Sequence, residues 1–141
     1  SRYGTDAWAS VSGTFAGNPI TSTAALAVLG ELRREGAYVG LFDRGRRMMD
    51  ALQRLCVDAG LPAQVLGEPP AFQLWFAEEE IFDHRTSLRC DLGRQLRFSE
   101  LLVDRGVIKA HEKFFVSMAH SDADIDTALA ACSGAIELLA E

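Results

Sequence analysis

Between Ser12 and Pro19 the chain reads SGTFAGNP, and an alanine- and leucine-rich segment follows at once. Two glycines free the backbone for a tight turn, and asparagine before proline is the pattern of a helix N-cap followed by its first residue. The first N–H groups of a helix lack internal partners and carry partial positive charge. Such a corner either caps a helix and nothing more, or also holds an anion such as phosphate. Gly-rich corners are common punctuation, so the residues of the corner alone leave both readings open.

Downstream the hydrophobic spacing predicts a helix from residue 19 to about 34, apolar nearly all round and so expected to be buried on several sides, with Gly36 at its end. A second helix is predicted over 38–59, with Met48, Met49, Leu52, Leu55, Cys56 and Ala59 on one stripe and Gly60 and Pro62 as stops. Strands are predicted over 63–66 and 71–77, the second with Phe72, Leu74 and Phe76 facing one way and Gln73 and Trp75 the other. Residues 67–70 read as the turn between them, and Glu78, Glu79 and Glu80 as a solvated strand exit. A third helix is predicted over 87–105, closed by Gly106, and short strands at 107–108 and 114–118. Ser121 opens the last helix, where Asp122 and Asp124 favour the first turn and Ile125, Ala128, Leu129, Cys132, Ile136 and Leu139 form the apolar face. The sum is an α+β fold of helices on a small, largely antiparallel sheet.

Composition removes several function classes. A net charge of −6 gives no reason to expect nucleic acid or an anionic membrane surface as partner, and no apolar run reaches the roughly 20 residues that cross a bilayer. Cys56, Cys90 and Cys132 are odd in number and widely spaced, which argues against a disulfide framework or a zinc ribbon and for core thiols in a reducing, cytoplasmic compartment. His84, His111 and His120 lack ligand spacing, so no metal site is expected. His84 reads as loop surface, and His120 as a structural residue at a helix start.

SGTFAGNP, the small-residue helix after it, and FVSMAHSDADID at 115–126 before the last helix together resemble the class III aminotransferases. Within them the chain is most similar to the glutamate-1-semialdehyde aminomutase-like branch. The resemblance runs over essentially all 141 residues yet matches only the C-terminal part of such an enzyme. It implies the small C-terminal domain of a fold-type I pyridoxal-phosphate-dependent transferase. Residues 1–18 would be a linker and cofactor-phosphate corner from the large-domain side, and 19–141 the small domain.

In that family pyridoxal phosphate is held on a Schiff-base lysine in the large domain, upstream of the Gly-Thr motif. The lysines here are Lys109 and Lys113, and neither stands at that place. The resemblance therefore implies no catalytic residue within the chain, which is expected to be inactive alone and to belong to a longer enzyme. Family members are homodimers whose Gly-Thr pair reaches the cofactor phosphate of the neighbouring subunit. Mapped here, Gly13 offers close backbone approach, Thr14 a hydroxyl and an N–H, and Ser12 lines the same site. Asn18 and Pro19 are structural parts of the corner. Partners would be a small-molecule amino donor and a carbonyl acceptor.

The chain departs from the aminomutases proper between Val107 and Phe115. Its segment IKAHEKF is shorter and lacks their proline, matching a related subgroup with the Glu112-Lys113-Phe114 form. That favours an aminotransferase over a true aminomutase, because this segment borders the substrate mouth in the family. Lys109 and Lys113 read as surface cations before they read as substrate ligands. A stand-alone, non-catalytic binding or dimerisation module is the third reading.

Overall fold

The computed structural model describes residues 13–110 and 112–141; Ser12 and His111 lie outside the described residues. The chain divides into two compact units, Ser1–Ala37 and Tyr38–Glu141.

The first unit holds α1 (Pro19–Leu32), with Pro19 in its first turn. Asn18 is its N-cap, in extended conformation, and its Oδ1 accepts from the N–H groups of Ile20 at 3.0 Å and Thr21 at 3.3 Å. The helix itself is where the sequence predicts it, but the expected burial is not found. No residue of α1 is buried, and Ile20, Leu26, Val28 and Leu29 stand exposed. Its apolar residues are spread round the axis, so no single stripe commits one face to a core.

The second unit runs α2 (Ala37–Asp58, its first residue at the boundary), β1 (Ala63–Glu68), β2 (Ala71–Phe76), α3 (His84–Ser87), α4 (Leu92–Val103), β3 (Phe114–Phe115) and α5 (Asp122–Ala140). The three strands form one antiparallel sheet in the order β1-β2-β3. Val65 lies opposite Leu74, and Phe72 opposite Phe114. The inward side of β2 supplies Phe72, Leu74 and Phe76, all essentially without solvent contact. Phe72 stacks on Phe114 with centroids 5.2 Å apart, and Phe76 meets Phe98 of α4 edge-on at 5.8 Å. Aromatic pairs in these geometries add about 0.5–1.5 kcal/mol beyond burial.

Leu41, Met48, Leu52 and Cys56 from α2, Leu101 and Leu102 from α4, and Ile125, Cys132 and Ile136 from α5 complete the core. Gly45 of α2 lies against the hairpin turn: a Cβ there would clash with the Pro69 carbonyl group. The start of α5 carries a capping box between Ser121 and Asp124. Two ion pairs tie it to α2, Arg44 to Asp122 at 3.1 Å and Arg47 to Asp126.

Four expectations need correction. The single helix predicted over 87–105 is two helices, because two aspartates each start one. Asp83 caps α3 through Thr86, while Asp91 caps α4 by accepting from the Arg94 N–H at 2.8 Å. The Asp91 N–H also donates to the Phe76 carbonyl at 2.8 Å, which pins the break to the sheet. Residues 107–108 form no strand, and the strand predicted over 114–118 is only Phe114–Phe115. The hairpin turn is tighter than predicted, with Pro69 and Pro70 alone between the strands. Gln95 on α4 is buried with neither amide atom hydrogen-bonded among the described residues, and nothing in the fold explains it. No described helix is long and apolar enough to cross a membrane.

Candidate functional site

The corner before α1 is a compact run of turns. The Ala16 N–H donates to the Gly13 carbonyl and the Asn18 N–H to that of Phe15, both at 3.0 Å, and the Ser22 N–H to that of Asn18 at 2.9 Å. Gly17 sits at φ 75°, in the left-handed region where a side chain is strained, and this lets the chain reverse into Asn18. Because Asn18 already takes the Ile20 and Thr21 N–H groups, the anion-binding capacity of this corner lies one turn earlier than the helix end itself. There Gly13 and Thr14 are exposed, and a Cβ on Gly13 would meet no heavy atom within 4 Å. The Thr14 hydroxyl has no hydrogen-bond partner among the described residues. An open glycine beside an uncommitted hydroxyl is a donor set that fits a phosphate approached from outside the chain. Ser12 lies outside the described residues, so the corner is described from Gly13 onward.

In the second unit residues 106–110 line a cleft of about 420 Å³. Lys109 lines it and is half-buried, with Nζ 5.5 Å from the centroid of the Phe114 ring and donating to the Ala110 carbonyl at 3.1 Å. Burial lowers its pKa, and the Glu112 carboxylate opposes that shift. Lys113, four residues on, is exposed. The two lysines thus differ, where the sequence reads both as surface cations. The available sequence signal was the placement of Lys109 between Val107-Ile108 and Phe114, which sets its aliphatic stem among apolar side chains.

His120 accepts the Ser117 N–H on Nδ1 at 3.0 Å, tying the turn that leads into α5. His84 is exposed in α3. Burial pushes the thiols of Cys56 and Cys132 up to about 11 and about 12, so both are inert neutral core groups at physiological pH. Among the described residues no cluster of three or more His, Cys, Asp or Glu side chains could hold a metal ion.

Solved structures share this fold. A glutamate-1-semialdehyde aminomutase from Pseudomonas aeruginosa superposes with a TM-score of 0.79 at 17% identity, over 97% of this chain and 32% of that one. A β-phenylalanine aminotransferase from Variovorax paradoxus gives 0.78 at 24% identity, over 90% and 30%. The fold is therefore that of the small domain of a fold-type I pyridoxal-phosphate-dependent transferase. No family model matches the chain. Among curated relatives, the glutamate-1-semialdehyde 2,1-aminomutase of Syntrophus aciditrophicus is 37% identical over 131 residues, covering 90% of this chain and 30% of the relative. That of Desulfosudis oleivorans is 36% identical over 117 residues, covering 81% and 27%. The chain belongs to the class III pyridoxal-phosphate-dependent aminotransferase family, in its glutamate-1-semialdehyde aminomutase-like branch, as a C-terminal part. It spans about 30% of the length of the curated relatives it matches.

Proposed function

We propose that this chain is the C-terminal part of a cytoplasmic, homodimeric aminotransferase that moves an amino group between a small amino compound and a carbonyl acceptor. In this reading residues 1–18 form the linker and cofactor-phosphate corner, and 19–141 the small domain. The observation that carries it is the corner before α1. Its open glycine and its exposed Thr14, whose hydroxyl has no hydrogen-bond partner among the described residues, suit a site completed by a second subunit. Gly13, Thr14 and Ser12 then hold the phosphate of pyridoxal phosphate bound in the neighbouring subunit, while Asn18 and Pro19 fix the corner on α1. When bound, the cofactor supplies the electron sink on which amino-group transfer depends. Lysine chemistry comes from outside these residues, since Lys109 lies in its own cleft and Lys113 on the surface.

Thr14→Ala in the complete enzyme tests this. The expected result is a cofactor affinity about tenfold or more weaker, from loss of a hydrogen bond to a charged group, with the melting temperature little changed. Unchanged affinity with a lowered melting temperature would leave Thr14 a scaffold residue and defeat the reading.

A second reading, intramolecular amino transfer of the aminomutase type, is favoured by the name the curated relatives carry. The short 107–115 segment favours the aminotransferase. Dependence of turnover on an external carbonyl acceptor separates the two.

A further inference from the structure

A polar cleft of about 340 Å³ lies where β2 ends and α4 begins. Backbone bonds hold its floor from two sides. The Ala77 N–H donates to the Pro62 carbonyl at 3.0 Å, and the Asp91 N–H to that of Phe76 at 2.8 Å.

Arg94 lines this cleft with its side chain 31% exposed. Its ion pair with Asp91 is long, Nε to Oδ2 at 3.8 Å, beyond hydrogen-bonding distance. The other Asp91 oxygen is taken by the Arg94 backbone N–H at 2.8 Å. Among the described residues the guanidinium therefore makes no hydrogen bond. Five donors in a planar fork match a carboxylate, and donors partly withdrawn from water gain most from such a partner. Arg89 differs, because it is exposed and already bonded to Glu79 at 2.6 Å.

Charge narrows the ligand further. Glu78, Glu79 and Asp91 line the cleft against Arg89 and Arg94, three acids to two bases. A plain anion meets that acidic excess, whereas a ligand with one charge of each sign suits both. Glu78 is exposed and has no partner among the described residues, so it is the acid left for a cation.

We infer that this cleft binds a compact zwitterion, its carboxylate on the Arg94 fork and its ammonium against Glu78. The volume stands near the lower end for small-molecule sites, which restricts the ligand to a short one. The inference rests on the second unit alone, so its failure and the failure of the cofactor reading are separate results.

N,N-dimethylglycine titrated into the full-length polypeptide, followed by calorimetry and saturation-transfer NMR, tests it. A tertiary amine cannot condense with an aldehyde, so the signal reports non-covalent binding. Arg94→Met should weaken binding about tenfold or more, the scale of a charge-assisted contact. Glu78→Gln should weaken it about threefold, as befits an exposed ion pair, and Lys113→Met should leave it unchanged. Acetate and tetramethylammonium, each carrying one of the two charges, should bind far more weakly. The inference is overturned if dimethylglycine does not bind, or if folded Arg94→Met or Glu78→Gln binds it as the parent does. Acetate binding as tightly as dimethylglycine would overturn it too.

Discussion

The side-chain amide of Gln53 on α2 pairs with Val65 on β1 as a neighbouring strand would. The Val65 N–H donates to Gln53 Oε1 at 3.1 Å, and Gln53 Nε2 donates to the Ala63 carbonyl at 3.0 Å. β1 is the edge of the sheet, and an unpaired edge is a template for pairing with another chain. Gln64 makes the same kind of pair with the segment beyond β2, donating to the Glu79 carbonyl at 2.7 Å and accepting the Ile81 N–H at 3.0 Å.

Gln53→Leu should therefore cost about 1–3 kcal/mol, since it strands a half-buried N–H and a carbonyl that water reaches poorly. Urea unfolding followed by circular dichroism measures it. Gln53→Ala should cost a similar amount and raise the tendency to associate. A midpoint equal to that of the parent for both variants would show that the amide pair adds nothing.

Two glycines of α2 predict opposite signs for the same substitution. Gly45→Ala drives a methyl into the Pro69 backbone, and the clash cannot be relieved without moving the hairpin turn. Overpacking of this kind costs about 1–3 kcal/mol, and backbone is the least yielding of neighbours. Gly40→Ala meets only a flexible arginine tip at 3.6 Å and should stabilise by about 0.5–1 kcal/mol through helix propensity. Thermal melts of both variants check the pair, and a destabilised Gly40→Ala beside a neutral Gly45→Ala would contradict the packing described.

Acid should act through the caps. Hydrogen bonds from Ser121 hold the Asp124 carboxyl below its ordinary range, and those from Thr86 do the same for Asp83. A carboxyl whose folded pKa lies below the unfolded value contributes stability that is full above about pH 4 and is lost as pH falls through the folded pKa. Asp124→Asn should thus be less stable than the parent at pH 7, with the gap closing as the solution is acidified. Denaturation midpoints from pH 7 down to pH 2 follow it. A gap that stays constant with pH would assign the difference to packing instead of charge.

What the sequence makes legible is what neighbours in sequence decide. Asn18-Pro19 opens α1, Gly60 and Pro62 close α2, and the alternation of Phe72, Leu74 and Phe76 yields the buried face of β2. The break before α4 is harder to see, because leucines from Leu88 to Leu102 keep helical spacing straight through it. What splits them is Asp91, which caps α4 with its side chain while its N–H reaches back to Phe76, a contact 15 residues away in sequence. β3 depends wholly on pairing with β2, so residues 114–118 alone overstate it. Gly13 and Thr14 are site candidates through family resemblance, whereas the half-burial of Lys109 depends on where Phe114 packs and so emerges only in three dimensions.

In the proposed function this chain completes a pyridoxal-phosphate site whose covalent lysine lies elsewhere in the enzyme. Borohydride reduction of the full-length protein loaded with pyridoxal phosphate, followed by peptide mapping, tests it most directly. The expected result is one stoichiometric cofactor–lysine adduct outside these 141 residues and none at Lys109 or Lys113. A stoichiometric adduct at either of those two would contradict it.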